Sequence, residues 1–375
     1  MSLDAPMSGA GTSIAVFLGT KAQYIKTAPL LRLLDEQGVS YRLIDSGQHG
    51  ALSGGLRQEL GIRDPDLVLG DGRNVDTIPQ AILWALRILT LLSRPRLLRE
   101  QIFAGVAPTG AGARAICIVH GDTPSTMLAT VLARRAGLEV AHLEAGLTSG
   151  RLLDPIPEEA IRRLVMRWSS LLFTPDAVAT DHLRSRRVKG RIVELAANTV
   201  VEATTFALES ARELAPGPAV VTMHRVENLQ SSARVAGFID LVLEMAAREP
   251  VLFVTHGPTE QVLRKLGHVA ALEAAGIEVL PLQPHGAFVR MLAAAPWVIT
   301  DGGSIQEECA LLGVPTLLWR QRSERPDGIG ANVVVSEHDP ALARAFLADP
   351  SAHRVRRNIP ATRPSEQILA QLRAR

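Results

Sequence analysis

The chain is poor in the features that mark several large protein classes. Aromatic residues make up 4% of its 375 residues, too few to build stacking platforms for bases or extended polysaccharide. The formal net charge is only +2, whereas nucleic-acid binding needs a concentrated basic face, so no nucleic-acid partner is expected. The two cysteines, Cys117 and Cys309, offer neither a disulfide framework nor a metal-ligand spacing. Each sits in an apolar pattern and reads as a small buried hydrophobe, which fits a reducing, cytoplasmic compartment. No apolar run reaches the ~20 residues of a transmembrane helix. The most apolar stretch, Ile78 to Leu92, contains Arg87 and reads as a helix buried in a core or at a subunit interface. A membrane-surface anchor helped by Arg87, Arg94, Arg96 and Arg99 is the alternative. The first residues, M-S-L-D-A-P-M-S-G-A-G-T-S, lack the basic-then-apolar pattern of a secretory leader and are expected to form a loose tail over 1–13.

What is present is an ordinary globular balance, 47% hydrophobic and 21% charged, at a length that favours two domains. Apolar runs alternate with amphipathic helical stretches. Strands are expected at Ile14–Leu18, Tyr41–Ile44, Ile116–His120, Val140–Leu143, Leu171–Phe173 and Ile192–Leu195. After a break near 203–217, which ends in A-P-G-P, they resume at Ala219–Met223, Val251–Thr255, Val279–Leu280, Val298–Thr300 and Thr316–Trp319. Strand-then-helix alternation argues parallel sheets with helices on both faces. The expected organisation is an α/β fold of two Rossmann-like domains, 14–203 and 204–355, facing across a cleft. A C-terminal helix within 356–375 would pack back on the first domain. Interdomain clefts are preferred sites for small ligands.

The motifs sit at strand ends, where open α/β sheets bind ligands. V-H-G-D-T, A-H-L-E-A-G-L-T-S-G and D-P-I-P-E-E set the carboxylates Asp122, Glu144 and Glu158 at or beyond such ends, a pattern that suits proton transfer. Thr300-Asp301-Gly302-Gly303-Ser304 opens a helix. Its glycines permit close backbone approach and its exposed amides attract phosphate; a tight strand-to-helix turn without a ligand is the plain alternative. Glu308, one turn further, would suit the hydroxyls of a ribose. His224 and Arg225 follow a strand and could hold phosphate or assist a leaving group, or serve as structural hydrogen-bonders, and His256 faces the same choice. Gly19-Thr20-Lys21, Lys26 and Gln48-His49 are individually weak signals, since loops are polar in any case. G-T-K-A-Q-Y lacks the three spaced glycines of a dinucleotide fingerprint.

Taken together and in order, H-G-D-T, H-L-E-A-G-L, P-E-E-A-I-R-R, H-R-V-E-N, I-Q-E-E and S-E-R-P-D-G resemble the non-hydrolysing UDP-N-acetylglucosamine 2-epimerase family, from about Ala15 to the C-terminus. The resemblance implies a glycosyltransferase B fold in which the second domain binds UDP. It implies inversion at carbon 2 of UDP-N-acetylglucosamine to give UDP-N-acetylmannosamine, for polysaccharide precursors. The route is elimination of UDP, formation of 2-acetamidoglucal and re-addition, without cofactor or metal. By resemblance Asp122, Glu144, Glu158 and His224 are the catalytic positions. Lys21, Lys26, Gln48, His49, Arg225, His256, Gly302, Gly303, Ser304 and Glu308 are substrate-binding positions, and the protein is a homodimer. The family's usual G-T-R-P-E is G-T-K-A-Q here, where lysine keeps the charge but loses the bidentate fork. Its D-S-G-G is D-G-G-S. A hydrolysing 2-epimerase releasing free sugar and UDP, and a glycosyltransferase of the same fold, stay open beside this reading.

Overall fold

The computed structural model describes residues 12–47, 53–69, 92–108, 114–148, 150, 158–209 and 214–375. Gln48, His49 and all of Ile78–Leu92 except Leu92 lie outside the described residues. The chain divides into two compact units, one of residues up to Glu202 together with Thr362–Arg375, the other Ala203–Ala361.

Unit 1 is built on a seven-stranded sheet in the order β3-β2-β1-β4-β5-β6-β7. The strands are β1 (Ile14–Leu18), β2 (Arg42–Asp45), β3 (Leu67–Val68), β4 (Ile116–His120), β5 (Glu139–Leu143), β6 (Leu171–Thr174) and β7 (Arg191–Glu194), all paired in parallel. Every residue of β1 and β4 is buried, as expected of parallel strands covered on both faces. The helices are α1 (Lys21–Glu36), α2 (Ser53–Leu60), α3 (Pro95–Gln101), α4 (Pro124–Arg135), α5 (Glu158–Trp168), α6 (Ala177–Ser185) and α7 (Val200–Glu209), the last running on into unit 2.

Unit 2 has a six-stranded sheet in the order β10-β9-β8-β11-β12-β13. Its strands are β8 (Ala219–Thr222), β9 (Val251–Val254), β10 (Glu278–Leu280), β11 (Val298–Thr300), β12 (Thr316–Leu318) and β13 (Val333–Val335), again all parallel. Side-chain alternation splits its core: Val221 and Phe253 join one apolar cluster with Phe238 and Trp319, while Val220 and Leu252 join another with Val289 and Cys309. The helices are α8 (Val226–Leu229), α9 (Ser232–Ala246), α10 (Gly257–Lys265), α11 (Val269–Ala274), α12 (His285–Ala294), α13 (Gly303–Leu312) and α14 (Pro340–Ala348). The final helix, α15 (Pro364–Arg373), packs on α1 of unit 1. Its start is pinned where Ser365 N donates to Glu202 Oε2 at 2.9 Å.

In both sheets the order reverses between the first and fourth strands, at β1/β4 and at β8/β11. Such a switch point leaves a crevice beyond the strand C-termini where ligands bind. The β1/β4 switch is locked by one side chain. Thr20 and Gln23 form a capping box at the start of α1. Gln23 Oε1 accepts from Gly19 N (2.8 Å) and Ser125 Oγ (3.2 Å), while its Nε2 donates to His120 O (2.7 Å) and Thr126 Oγ1 (2.8 Å). The strands approach so closely that a Cβ on Gly19 would stand 2.4 Å from Ser46 Oγ and 2.5 Å from Ser125 Cβ. Replacing Gln23 by Leu leaves buried backbone donors and acceptors without partners, at about 1–3 kcal/mol each. We expect Gln23→Leu to lower stability by about 2–4 kcal/mol in urea unfolding; an unchanged midpoint would show that the network adds nothing.

Candidate active site

Glu144 follows directly on β5 with a left-handed backbone, φ 63°. For a non-glycine residue this costs about 1 kcal/mol. The turn carries the carboxylate into a buried setting where three donors converge. Lys26 Nζ is 2.9 Å from Oε1, His120 Nε2 is 2.9 Å from Oε2, and Asn198 Nδ2 donates to Oε1 at 3.3 Å. Lys26 is only 2% exposed although it is a lysine on α1, because its charge is met by Glu144. His120 ends β4, and its Nδ1 lies 3.0 Å from Thr27 Oγ1.

The turn after β4 needs Gly121 at φ 68°. It presents Asp122, whose side chain is 25% exposed and pairs with Arg162 on α5. Arg162 also holds Glu159 (2.8 Å), which accepts from Thr148 (2.7 Å) and Arg163 (3.1 Å). Glu158 is the first residue of α5, where the helix dipole favours an anion. Its Oε2 is buried and has no hydrogen-bond partner among the described residues.

The second switch point is organised by another buried carboxylate. Asp301 follows β11, is fully buried, and accepts from His224 N (3.0 Å), Arg225 N (2.9 Å) and Asn228 Nδ2 (3.0 Å). It thereby fixes the segment after β8, with His224 Nδ1 3.2 Å from Asp301 Oδ1. The His256 ring lies 5.2 Å from that of His224. Gly302 caps α13, and Gly303 and Ser304 form its first turn. A Cβ on Gly302 would come 2.7 Å from His224 Cε1, and one on Gly303 would come 2.9 Å from Arg325 Nε. Glycine is therefore what lets a histidine and an arginine lie against an amide-rich helix start, an arrangement suited to phosphate.

Arg325 is held by Glu307 at 2.7 Å, and Gln306 Nε2 ties down its carbonyl at 3.0 Å. Glu324 lies between Arg225 (3.4 Å) and Arg320 (2.8 Å). Burial alone would raise its affinity for protons, but Arg320, Arg225 and Arg325 outweigh it and hold the carboxyl well below the usual range. Glu308 is buried and receives His285 Nε2 at 2.8 Å on Oε1.

The sequence-derived positions thus fall into two groups. Lys26, Asp122, Glu144 and Glu158 stand at or near the C-terminal strand ends of unit 1, with Lys21 starting α1. His224, Arg225, His256, Gly302, Gly303, Ser304 and Glu308 stand at those of unit 2. His120, Arg162, Asn198, Asp301 and Arg325 join these groups without being candidates on the sequence alone. His120, Arg162, Asp301 and Arg325 lie inside the motifs already quoted, so the motif rather than the single residue was the signal. Asn198 lies in none of them. Among the described residues no group of three or more His, Cys, Asp or Glu is arranged to hold a metal ion.

His142 on β5 fixes the Gly121 turn, donating Nε2–H to Gly121 O at 2.7 Å. It is fully buried, and that burial, reinforced by His120 and only partly offset by Gly121, Asp122 and Glu144, pushes its pKa down to about 4 from 6.5. Between those values the unfolded chain binds more protons than the folded one, so stability falls as pH drops through that window. The shift corresponds to about 3 kcal/mol. We expect His142→Gln, whose amide can still donate to Gly121, to lose about that much less stability than the parent between pH 6.5 and pH 4. Parallel pH profiles would remove this role for His142.

Comparison with known proteins shows the family and the fold. The model of the family described as UDP-N-acetylglucosamine 2-epimerase matches residues 111–354. The chain is 25% identical over 354 residues to the UDP-N-acetylglucosamine 2-epimerase of Methanocaldococcus jannaschii, covering 88% of this chain and 90% of that protein. It is 26% identical over 338 residues to the UDP-2,3-diacetamido-2,3-dideoxy-D-glucuronate 2-epimerase of Pseudomonas aeruginosa, covering 86% of this chain and 88% of that one. The solved structure of the M. jannaschii UDP-GlcNAc 2-epimerase in complex with UDP-GlcNAc and UDP aligns with a TM-score of 0.81 at 22% identity, covering 96% of this chain and 99% of that one. That likeness shows the fold, the glycosyltransferase B class with two Rossmann-like units expected from the sequence. The chain belongs to the UDP-N-acetylglucosamine 2-epimerase family.

Proposed function

We propose that the protein inverts carbon 2 of a UDP-N-acetylhexosamine, converting UDP-N-acetylglucosamine to UDP-N-acetylmannosamine. The observation that carries this reading is Glu144, a buried carboxylate held by Lys26 and His120 at the sheet edge where unit 1 would bind a ligand. The hydrogen on carbon 2 is not acidic, so direct removal is hard. In the proposed route a carboxylate takes that proton while the bond from carbon 1 to the UDP oxygen breaks, its electron pair leaving with UDP. A double bond forms between carbons 1 and 2, giving 2-acetamidoglucal. A second carboxylate then protonates carbon 2 on the opposite face as UDP re-forms its bond to carbon 1. Asp122, Glu144 and Glu158 supply the proton carriers.

His224, Arg225 and the amides at Gly302–Ser304 would receive the negative charge that grows on departing UDP, and Lys21 is a further proposed substrate contact. Glu308 belongs to the nucleotide side of the reaction, where it would accept from ribose hydroxyls, and His256, just beyond β9, is a further proposed substrate contact. Gln48 and His49 complete the proposed substrate contacts. The reading also makes the protein a cytoplasmic homodimer; among the described residues no helix is long and apolar enough to cross a membrane.

Nuclear magnetic resonance of UDP-N-acetylglucosamine with the protein in deuterated water tests the reaction directly. The manno epimer should grow in, with deuterium at carbon 2 of both sugars. Absence of both would end the proposal for this substrate, and free sugar accumulating with UDP would indicate a hydrolysing enzyme instead. Glu144→Gln and Asp122→Asn should each lower carbon 2 exchange by about a hundred- to ten-thousand-fold, with UDP affinity held within about threefold. Near-normal turnover in either variant would remove that residue from the chemistry. Glu308→Ala should weaken UDP binding about tenfold; an unchanged dissociation constant would count against the ribose contact.

A further inference from the structure

A groove of about 850 Å³ lies in unit 1 where α4, α5 and α6 end and β5, β6 and β7 begin. It is therefore at the opposite edge of the sheet from Asp122 and Glu144. Arg134 and Arg167 reach it from the last turns of α4 and α5, with Arg163 one turn earlier. Arg186, Arg187 and Lys189 line it from the α6–β7 turn, and Arg114 from the start of β4. Glu139 is the one acidic residue among the described residues of the lining, and it is paired with Arg375. Arg163 is paired with Glu159. Arg114, Arg167, Arg187 and Lys189 are exposed and have no ion-pair partner among the described residues.

Three helices end here, and cations complement helix C-termini. That effect accounts for only part of the charge. Each terminus carries about half a negative charge, roughly one and a half together, against four exposed unpaired cations and Arg134 and Arg186 besides. The whole chain is only +2, so the groove concentrates positive charge relative to the rest of the chain. Arginine forks match phosphate oxygens two at a time. The volume is within the range of small-ligand sites, about 300–1,000 Å³, and the concave form suits a compact anion better than a flat surface.

We propose that this groove is a binding site for an oligophosphate, a small anion with several linked phosphate groups, separate from the candidate active site. Such an anion could arrive free or as the tail of a nucleotide. Trp168 in the lining could stack on a base in the second case.

The test is calorimetric titration of the full chain with inorganic tripolyphosphate, the groove's share of the binding being the part that the groove variants below remove. UDP binding is measured first on its own, so failure of the proposed reaction and failure of this site are seen separately. One site is expected, weakened by added salt. A parallel titration with adenosine triphosphate separates the sources: equal affinity assigns the interaction to phosphate alone, and tighter binding that is lost in Trp168→Leu adds the base. The double variant Arg167→Glu, Arg187→Glu should lose at least about tenfold in affinity.

Arg187→Gly guards against misfolding. Arg187 has φ 50°, a conformation that glycine adopts without strain. Its thermal midpoint should hold or rise while tripolyphosphate affinity falls. No binding to the parent, or binding that neither variant weakens, would overturn the proposal.

Discussion

The candidate site of unit 1 depends on one buried ion pair, Lys26 with Glu144. Neither partner is tolerable alone at that depth, since an uncompensated buried charge costs about 3–5 kcal/mol. The pair joins α1 to the end of β5, elements 118 residues apart in the chain. Pairing through β4 sets the spacing of β1 and β5, and the ion pair holds α1 against the end of β5. His120 must end β4 pointing at Glu144, and Gln23 can then bond to the His120 carbonyl. The left-handed backbone at Glu144 is consistent with this order of causes. Local strain of that size persists only where surrounding contacts determine the conformation, and here three donors do so.

Unit 2 uses a buried carboxylate to a different end. Asp301 meets backbone amides rather than a lysine, and so needs no buried cation to be satisfied. Its work is to set the His224–Asn228 segment against the start of α13. The glycines at 302 and 303 then decide how near His224 and Arg325 can come, because a single Cβ at either position would intrude. One carboxylate is thus held by side-chain donors, while the other shapes the backbone that carries His224 and Arg225.

Much of this was legible in the sequence because parallel strands buried on both faces are continuous apolar runs, and motifs that follow them must lie at the binding edge. Two strands escaped. Leu67–Val68 is two residues long and half exposed, too short for any periodicity, and Val333–Val335 is a bare edge strand of three. The long-range partners escaped for a different reason. Nothing in the spacing of Asp122 and Arg162, 40 residues apart, says that α5 returns its fifth residue to the Asp122 side chain beside the Gly121 turn. The basic groove was invisible as well, since net charge averages over the surface and its cations come from four separate segments between Arg114 and Lys189.

The three carboxylates of unit 1 are chemically alike and differ through their surroundings, which is how one site can assign separate tasks to similar groups. Glu144 is buried and gripped by a cation, an imidazole and an amide. Asp122 is partly open to solvent and shares Arg162 with Glu159. Glu158 stands at a helix start with a buried oxygen that meets no donor among the described residues. Arg162 cannot serve as a simple counter-ion to one of them, because it spans two acids and is itself buried at 2% exposure. It makes the position of Asp122 depend on α5, the helix that also carries Glu158. A shift of that helix would move both carboxylates together while leaving Glu144 on its strand. Inversion at one carbon needs proton carriers on two faces of a sugar. Under the proposed reaction, a pair tied to one helix, set against a third group locked at a strand end, would meet that need.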